Sequence, residues 1–149
     1  MKVHHITVSA YSGGEGAGKL KETLKSILPK DSEVEENVLE PETEGGVFTG
    51  ELVELKCRLS RQADIREFTS KIFSSLDDYD RRKLLDNLPD FIDDECSLYV
   101  RLGKSEAAEG KIVLESKDSI HVTFKLAAYP AKKENAVKAA RELIEDGIR

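Results

Sequence analysis

The sequence predicts an α+β fold, a largely antiparallel sheet with helices packed on one face. Three observations predict it. Six short stretches alternate apolar and polar residues, and four longer ones carry apolar residues at helical spacing. They follow one another in the order β-α-β-β-α-α-β-β-β-α, which lacks the regular βαβ repeats of a parallel sheet. At 149 residues the chain makes one domain, 1–149. A chain of that length buries about 70% of its unfolded surface, enough for a core without metals or disulfides.

Val3–Tyr11 reads as the first strand, with Ile6, Val8 and Ala10 on one face and His5, Thr7, Ser9 and Tyr11 on the other. A glycine-rich turn, Gly13-Gly14-Glu15-Gly16-Ala17-Gly18, leads into a helix over Lys19–Leu28. Leu20, Leu24, Ile27 and Leu28 keep helical spacing there until Pro29 stops it. Glu33–Leu39 is a weak strand and Glu40–Gly46 an acidic loop. Glu51–Leu59 alternates cleanly, with Val53, Leu55, Cys57 and Leu59 inward and Glu54, Lys56 and Arg58 outward. Ala63–Leu76 is an amphipathic helix through Ile65, Phe68, Ile72, Phe73 and Leu76. The next helix starts at Asp80 and turns Leu84, Leu85 and Leu88 inward before Pro89 closes it. Three strands follow. Cys96, Leu98, Val100 and Leu102 alternate, then Ile112 and Leu114, then Ile120, Val122, Phe124 and Leu126. The turn Ser116-Lys117-Asp118-Ser119 predicts a hairpin of the second and third. The final helix, Ala131–Asp146, packs through Ala136, Val137, Ala140, Leu143 and Ile144.

Composition narrows the function. Net charge is −6, which argues against a general nucleic-acid binder, but the charge is uneven. Residues 1–96 carry 13 basic and 21 acidic side chains, whereas residues 97–149 carry 10 and 8. A local basic face on an acidic body fits that division. Cys57 and Cys96 show no zinc spacing and no disulfide framework, so a reduced, cytoplasmic protein is expected. No apolar run reaches membrane-spanning length, and Met1–Ile6 has no signal-peptide character.

Enzymatic readings find little support. Gly13–Lys19 matches most of a phosphate-binding loop, but Leu20 stands where a Ser or Thr should ligate magnesium. Asp90, Asp93, Asp94 and Glu95 form one contiguous acidic stretch that reads as a solvated linker, not a metal site. His4, His5 and His121 lack a nucleophile partner, and Cys57 reads as a small core residue. No catalytic residue, metal or cofactor is expected.

The strongest binding signal lies at the start of the final helix. Lys132 and Lys133 add charge where the helix dipole and free amides are already positive. Such crowding makes sense when a polyanion is bound, and a phosphate backbone is the obvious one. Lys104 and Lys111 bracket a short helical turn that Gly110 can terminate, and they are expected to reach the same backbone. Arg101 and Lys138 are weaker candidates, and Arg81, Arg82 and Lys83 could add a further contact.

Three strands followed by a helix opening Lys132-Lys133, with Ala139-Ala140 after it, resemble the double-stranded-RNA-binding domain. The resemblance covers the segment 78–149 and implies that those lysines meet the RNA backbone while the alanines pack the helix. Its loop lacks the Pro-His pair of that module. Asp93-Asp94-Glu95-Cys96, Arg101-Leu102 with Lys104 and Gly110, and Ala127-Ala128-Tyr129-Pro130-Ala131-Lys132 are similar to a small archaeal family over most of the chain. That family is usually described as RNA-binding proteins or predicted exosome subunits, with a fold likened to the same module and to a ribosomal protein. Gly103 and Ser105 stand where its pattern has Asp and Gln. The resemblance implies a non-catalytic RNA-binding protein contacting structured RNA with low sequence preference. Exosome or ribosomal proteins would be its further partners. A protein–protein adaptor of such an assembly, docking through the acidic N-terminal body, is the alternative.

Overall fold

Strand β1 (Val3–Gly13) is the middle of a five-stranded antiparallel sheet of order β2-β3-β1-β5-β4. Its neighbours are β3 (Leu52–Leu59) and β5 (Ser119–Leu126), with β2 (Glu35–Leu39) and β4 (Ser97–Gly103) outside them. The computed structural model describes residues 3–39 and 51–148, so the acidic loop expected at Glu40–Gly46 lies outside the described residues.

The period-two pattern decides which face is dry. Val8 pairs with Cys57 on one side and Val122 on the other, and all three are buried. Helices cover that face: α1 (Ala17–Ile27), α2 (Gln62–Ser75) and α5 (Lys133–Ile148), with α3 (Asp78–Asp86) and the short α4 (Lys104–Ala108) at the margins. Leu20, Leu24 and Ile27 of α1 and Phe68, Ile72 and Phe73 of α2 are buried against the sheet residues. Phe73 stacks on Phe124 of β5 with ring centroids 5.4 Å apart. In α5 the packing pair is Ala136 and Ala140, both fully buried, whereas Ala139 is only half-buried. Adjacent residues on a helix point about 100° apart, so the i, i+4 pair lies on one face and the neighbouring alanines do not.

The α+β architecture read from the sequence holds, with helices on one face. One expected strand does not form. Ile112–Leu114 makes an isolated bridge, Leu102 to Leu114, and pairs with β4 instead of forming a hairpin with β5. It is held as a strap: Gly103 N–H donates to Val113 O at 3.0 Å and Glu115 N–H to Arg101 O at 3.0 Å. The Leu114 amide is taken by the carboxylate of Asp80, at 3.0 Å, and not by a neighbouring strand. The last third therefore contributes two strands, and the three-strand meander behind the double-stranded-RNA-binding resemblance is absent.

Asp80 is 8% exposed, and its own amide donates to Asp77, the N-cap of α3. Replacing it with Ala leaves the Leu114 amide without that acceptor. Asp80→Ala should cost about 1–3 kcal/mol and speed hydrogen exchange at Leu114 before that at the strands of the sheet.

The glycine-rich turn is shaped by close packing. After β1 it makes one 3-10 turn, Gly14–Gly16, before α1 begins. A methyl group on Gly16 would come within 2.5 Å of Ser12 Oγ, and one on Gly14 within 2.9 Å of the Glu51 carboxylate. A carboxylate facing the turn is the reverse of a phosphate cradle.

Candidate nucleic-acid interface

Lys132 and Lys133 stand at the start of α5, both exposed. The Lys132 carbonyl accepts the amides of Asn135 and Ala136, each at 3.0 Å, so Lys132 occupies the cap position. Neither ammonium forms an ion pair among the described residues. Tyr129, 97% exposed, lies three residues upstream. Lys138 is exposed further along the same helix.

The loop lysines are placed differently. Lys104 Nζ donates to the Tyr11 carbonyl at 2.5 Å and pairs with Asp118 at 2.9 Å. Its side chain is 23% exposed. It ties the end of β1 to the turn before β5, and its charge is largely met inside the protein. Lys111 is exposed after Gly110, whose φ of 82° closes the α4 turn. Gly103 pairs with Ser119 at one end of β4, and Ser97 with Lys125 at the other. Lys104 thus sits about 20 Å along the sheet from the end at which the chain leaves for α5. Arg81 is also engaged locally, donating to Ser74 O at 2.7 Å and pairing with Asp78.

A larger cationic surface is the sheet face opposite the helices. No described element covers it. One row across the strands reads Lys56, Ser9, His121, Arg101, with Glu35 beyond Lys56 at the β2 edge. The next reads Arg58, Thr7, Thr123, Tyr99, and the third brings His5 beside Lys125. Strands about 4.8 Å apart place Lys56 and Arg101 about 14 Å from each other, with the imidazole of His121 between. Two carboxylates share the face toward the β2 edge, Glu54 and Glu35, the latter opposite Lys56. Glu54 accepts from Tyr11 Oη at 2.9 Å and from Asn37 at 3.3 Å. Three exposed cations, Lys56, Arg58 and Arg101, stand on the face, and a fourth, Lys125, is half-buried with its ammonium donating to the Glu95 carbonyl.

Both imidazoles register that field. His121 is held below its ordinary value of 6.5, first by burial and then by the charges of Arg101 and Lys104. His5 is lowered in the same way, by burial and then by Arg58, His4 and Lys125. Arg58 lies 3.1 Å from His5 Nδ1. A guanidinium can only donate, so Nδ1 accepts and carries no proton.

Tyr99 is 45% exposed on this face, and its hydroxyl donates to Asp93 Oδ2 at 2.7 Å. Asp93 is fixed in turn by the amides of Glu95 and Ser97, each at 2.9 Å. Burial works against the Asp93 carboxylate. The bonds from Ser97, Tyr99 and Glu95, with the charge of Lys125, outweigh it and lower the pKa. The acidic stretch is therefore a structural turn that holds a tyrosine. Cys57 is buried, and burial raises its thiol pKa, the opposite of what activates a nucleophile.

The sequence puts Lys56, Arg58, His5, Thr7 and Ser9 on outward faces without showing that they share one surface. Strand alternation gives the facing; strand order, which brings β3, β1, β5 and β4 side by side, is the missing signal.

Comparison with known proteins identifies the family. A family model described as RNA binding matches residues 5–126, a span that holds all five strands except the first residues of β1. RNA-binding protein PAB1135 of Pyrococcus abyssi is 30% identical over 97% of this chain and 96% of its own. Among solved structures, a DUF54 protein from Methanothermobacter thermautotrophicus is 30% identical, with a TM-score of 0.75 over 97% of this chain and 99% of that one. A protein from Archaeglobus fulgidus of the same DUF54 family is 25% identical, with a TM-score of 0.82 over 95% and 99%. The matched span and the likeness to PAB1135 together place the chain in the RNA-binding family.

Proposed function

We propose that the protein binds structured RNA without acting on it chemically, through phosphate contacts from the open sheet face and from the start of α5. The observation that carries this reading is the group of exposed cations Lys56, Arg58 and Arg101 on the uncovered sheet face of a chain of net charge −6. An acidic protein that gathers cations on one bare face favours a polyanion there. The family match spans that face and ends at Leu126, before the α5 lysines. In this reading Lys132, Lys133 and Lys138 form a second contact, Arg101 belongs to the sheet face, Lys111 reaches the backbone from the α4 turn, and Lys104 positions that turn.

The test is binding to a paired RNA over a range of salt. Counterion release makes the logarithm of affinity fall linearly with that of salt, by about 0.9 for each neutralised phosphate. Lys132→Ala/Lys133→Ala should flatten the slope by about 1.8 if both lysines meet phosphates. An affinity that ignores salt would exclude the reading altogether.

The imidazoles add a pH dependence of definite sign. His5 and His121 are both lowered from 6.5, so they are neutral in the free protein above that pH. Protonation adds charge to the face, and RNA affinity should rise as pH falls below 6.5. A phosphate at about 4 Å in water contributes about 1 kcal/mol, near five-fold for each imidazole in contact. Folding stability moves the other way. The unfolded chain binds these protons more readily, so the destabilisation begins as pH falls through 6.5 and is complete below the lowered folded values. Titrations of affinity and of denaturant midpoint over one pH series separate the two.

A further inference from the structure

We propose that the outer edge of β4 is a subsite for an unpaired nucleobase, with Tyr99 as its stacking surface and the adjoining cavity as its pocket. The inference rests on the RNA-binding reading and adds what kind of RNA element the protein selects.

The edge is closed at both ends and open between them. At one end Asp93 N–H donates to Ser97 O at 3.1 Å, and at the other the strap bonds to Arg101 and Gly103. Between these ties lies a cavity of about 410 Å³. Phe91, Tyr99, Val100 and Leu114 give it apolar walls, and its polar lining combines Lys83 and Arg101 with the carboxylates of Asp90, Asp93 and Glu115. Because backbone direction alternates along an antiparallel strand, Tyr99 turns its main-chain groups the same way as Ser97 and Arg101, toward this edge. A flat aromatic heterocycle needs such a combination, an apolar face to lie on and polar groups at its rim. The volume lies in the range of small-ligand pockets, and the cavity opens beside the cationic face, where the phosphates of the same strand would run.

Tyr99 is built to receive it. The ring is half-exposed, and its hydroxyl is tied to Asp93, which two backbone amides hold in place. A ring already fixed loses little side-chain freedom on stacking. A fully paired helix keeps its bases stacked inside and has none to offer, so the subsite selects a loop, bulge or tail.

The experiment compares a blunt RNA duplex with the same duplex carrying a short unpaired tail, the tail holding a fluorescent adenine analogue. The wild type should prefer the tailed RNA and quench the analogue. Tyr99→Leu should lose roughly ten-fold on the tailed RNA only and abolish the quench, and Tyr99→Trp should restore both. Equal affinity of the wild type for the two RNAs would overturn the subsite, as would a Tyr99→Leu protein that keeps the preference. If Lys56→Ala/Arg58→Ala still weakens both RNAs in that event, phosphate binding by the sheet face stands without the base pocket. If it weakens neither, both fall, and a protein partner for this face becomes the better account.

Discussion

Lys56→Ala/Arg58→Ala should lower affinity for structured RNA roughly 30-fold at 0.15 M salt, about five-fold or more for each phosphate left without its cation. The same change should flatten the salt slope by about 1.8. The size follows from position. The two side chains extend from neighbouring rows of β3, beside Ser9 and Thr7 of the central strand. No helix lies over them, and neither forms an ion pair among the described residues. Removing them leaves the core untouched, because Leu55, Cys57 and Leu59 point the other way. The denaturant midpoint should therefore stay put while binding falls. A variant that keeps its affinity and its slope would move the interface off the sheet.

Phe124→Ala should be the most damaging single truncation, at about 3–5 kcal/mol. The side chain is fully buried on β5 and stacks on Phe73 of α2, so one substitution weakens the sheet and the helix layer together. Aromatic pairs of this kind add about 0.5–1.5 kcal/mol beyond their buried area. Against a usual total of about 5–15 kcal/mol, that is a large share of the stability. Urea unfolding should show a lower midpoint with the slope unchanged. Thr123→Ala, one residue earlier and on the open face, should stay within about 0.5 kcal/mol.

The layer structure is legible because burial repeats at a fixed period. Ile6, Val8 and Ala10, or Val53, Leu55 and Cys57, announce a half-buried strand from their spacing alone. Ile112 and Leu114 carry the same spacing, yet they form a strap. Asp80, 34 residues earlier, supplies the acceptor that fixes it, and no local pattern records a partner at that distance. Lys104 shows the same blindness from the other side. Read alone it is a free cation in a loop, but it meets a carbonyl 93 residues away and the carboxylate of Asp118. At Lys132 and Lys133 the sequence sees the position well, since capping and dipole effects are local. The convergence of cations on the sheet is hidden for a different reason. It depends on β1 lying between β3 and β5, and topology is the quantity that alternation leaves undetermined.

That central position of β1 has a consequence for biogenesis. Once made, β1 waits for sheet partners that arrive some 40 and then more than 100 residues later. Until β5 emerges, Val3–Gly13 has a bare hydrogen-bonding margin and an apolar side able to pair with another nascent chain. Contacts of such long sequence separation slow closure. The sheet should thus close only after β5 is made, and a chain stalled before Ser119 should be a client of chaperones and proteases where one that includes β5 is not.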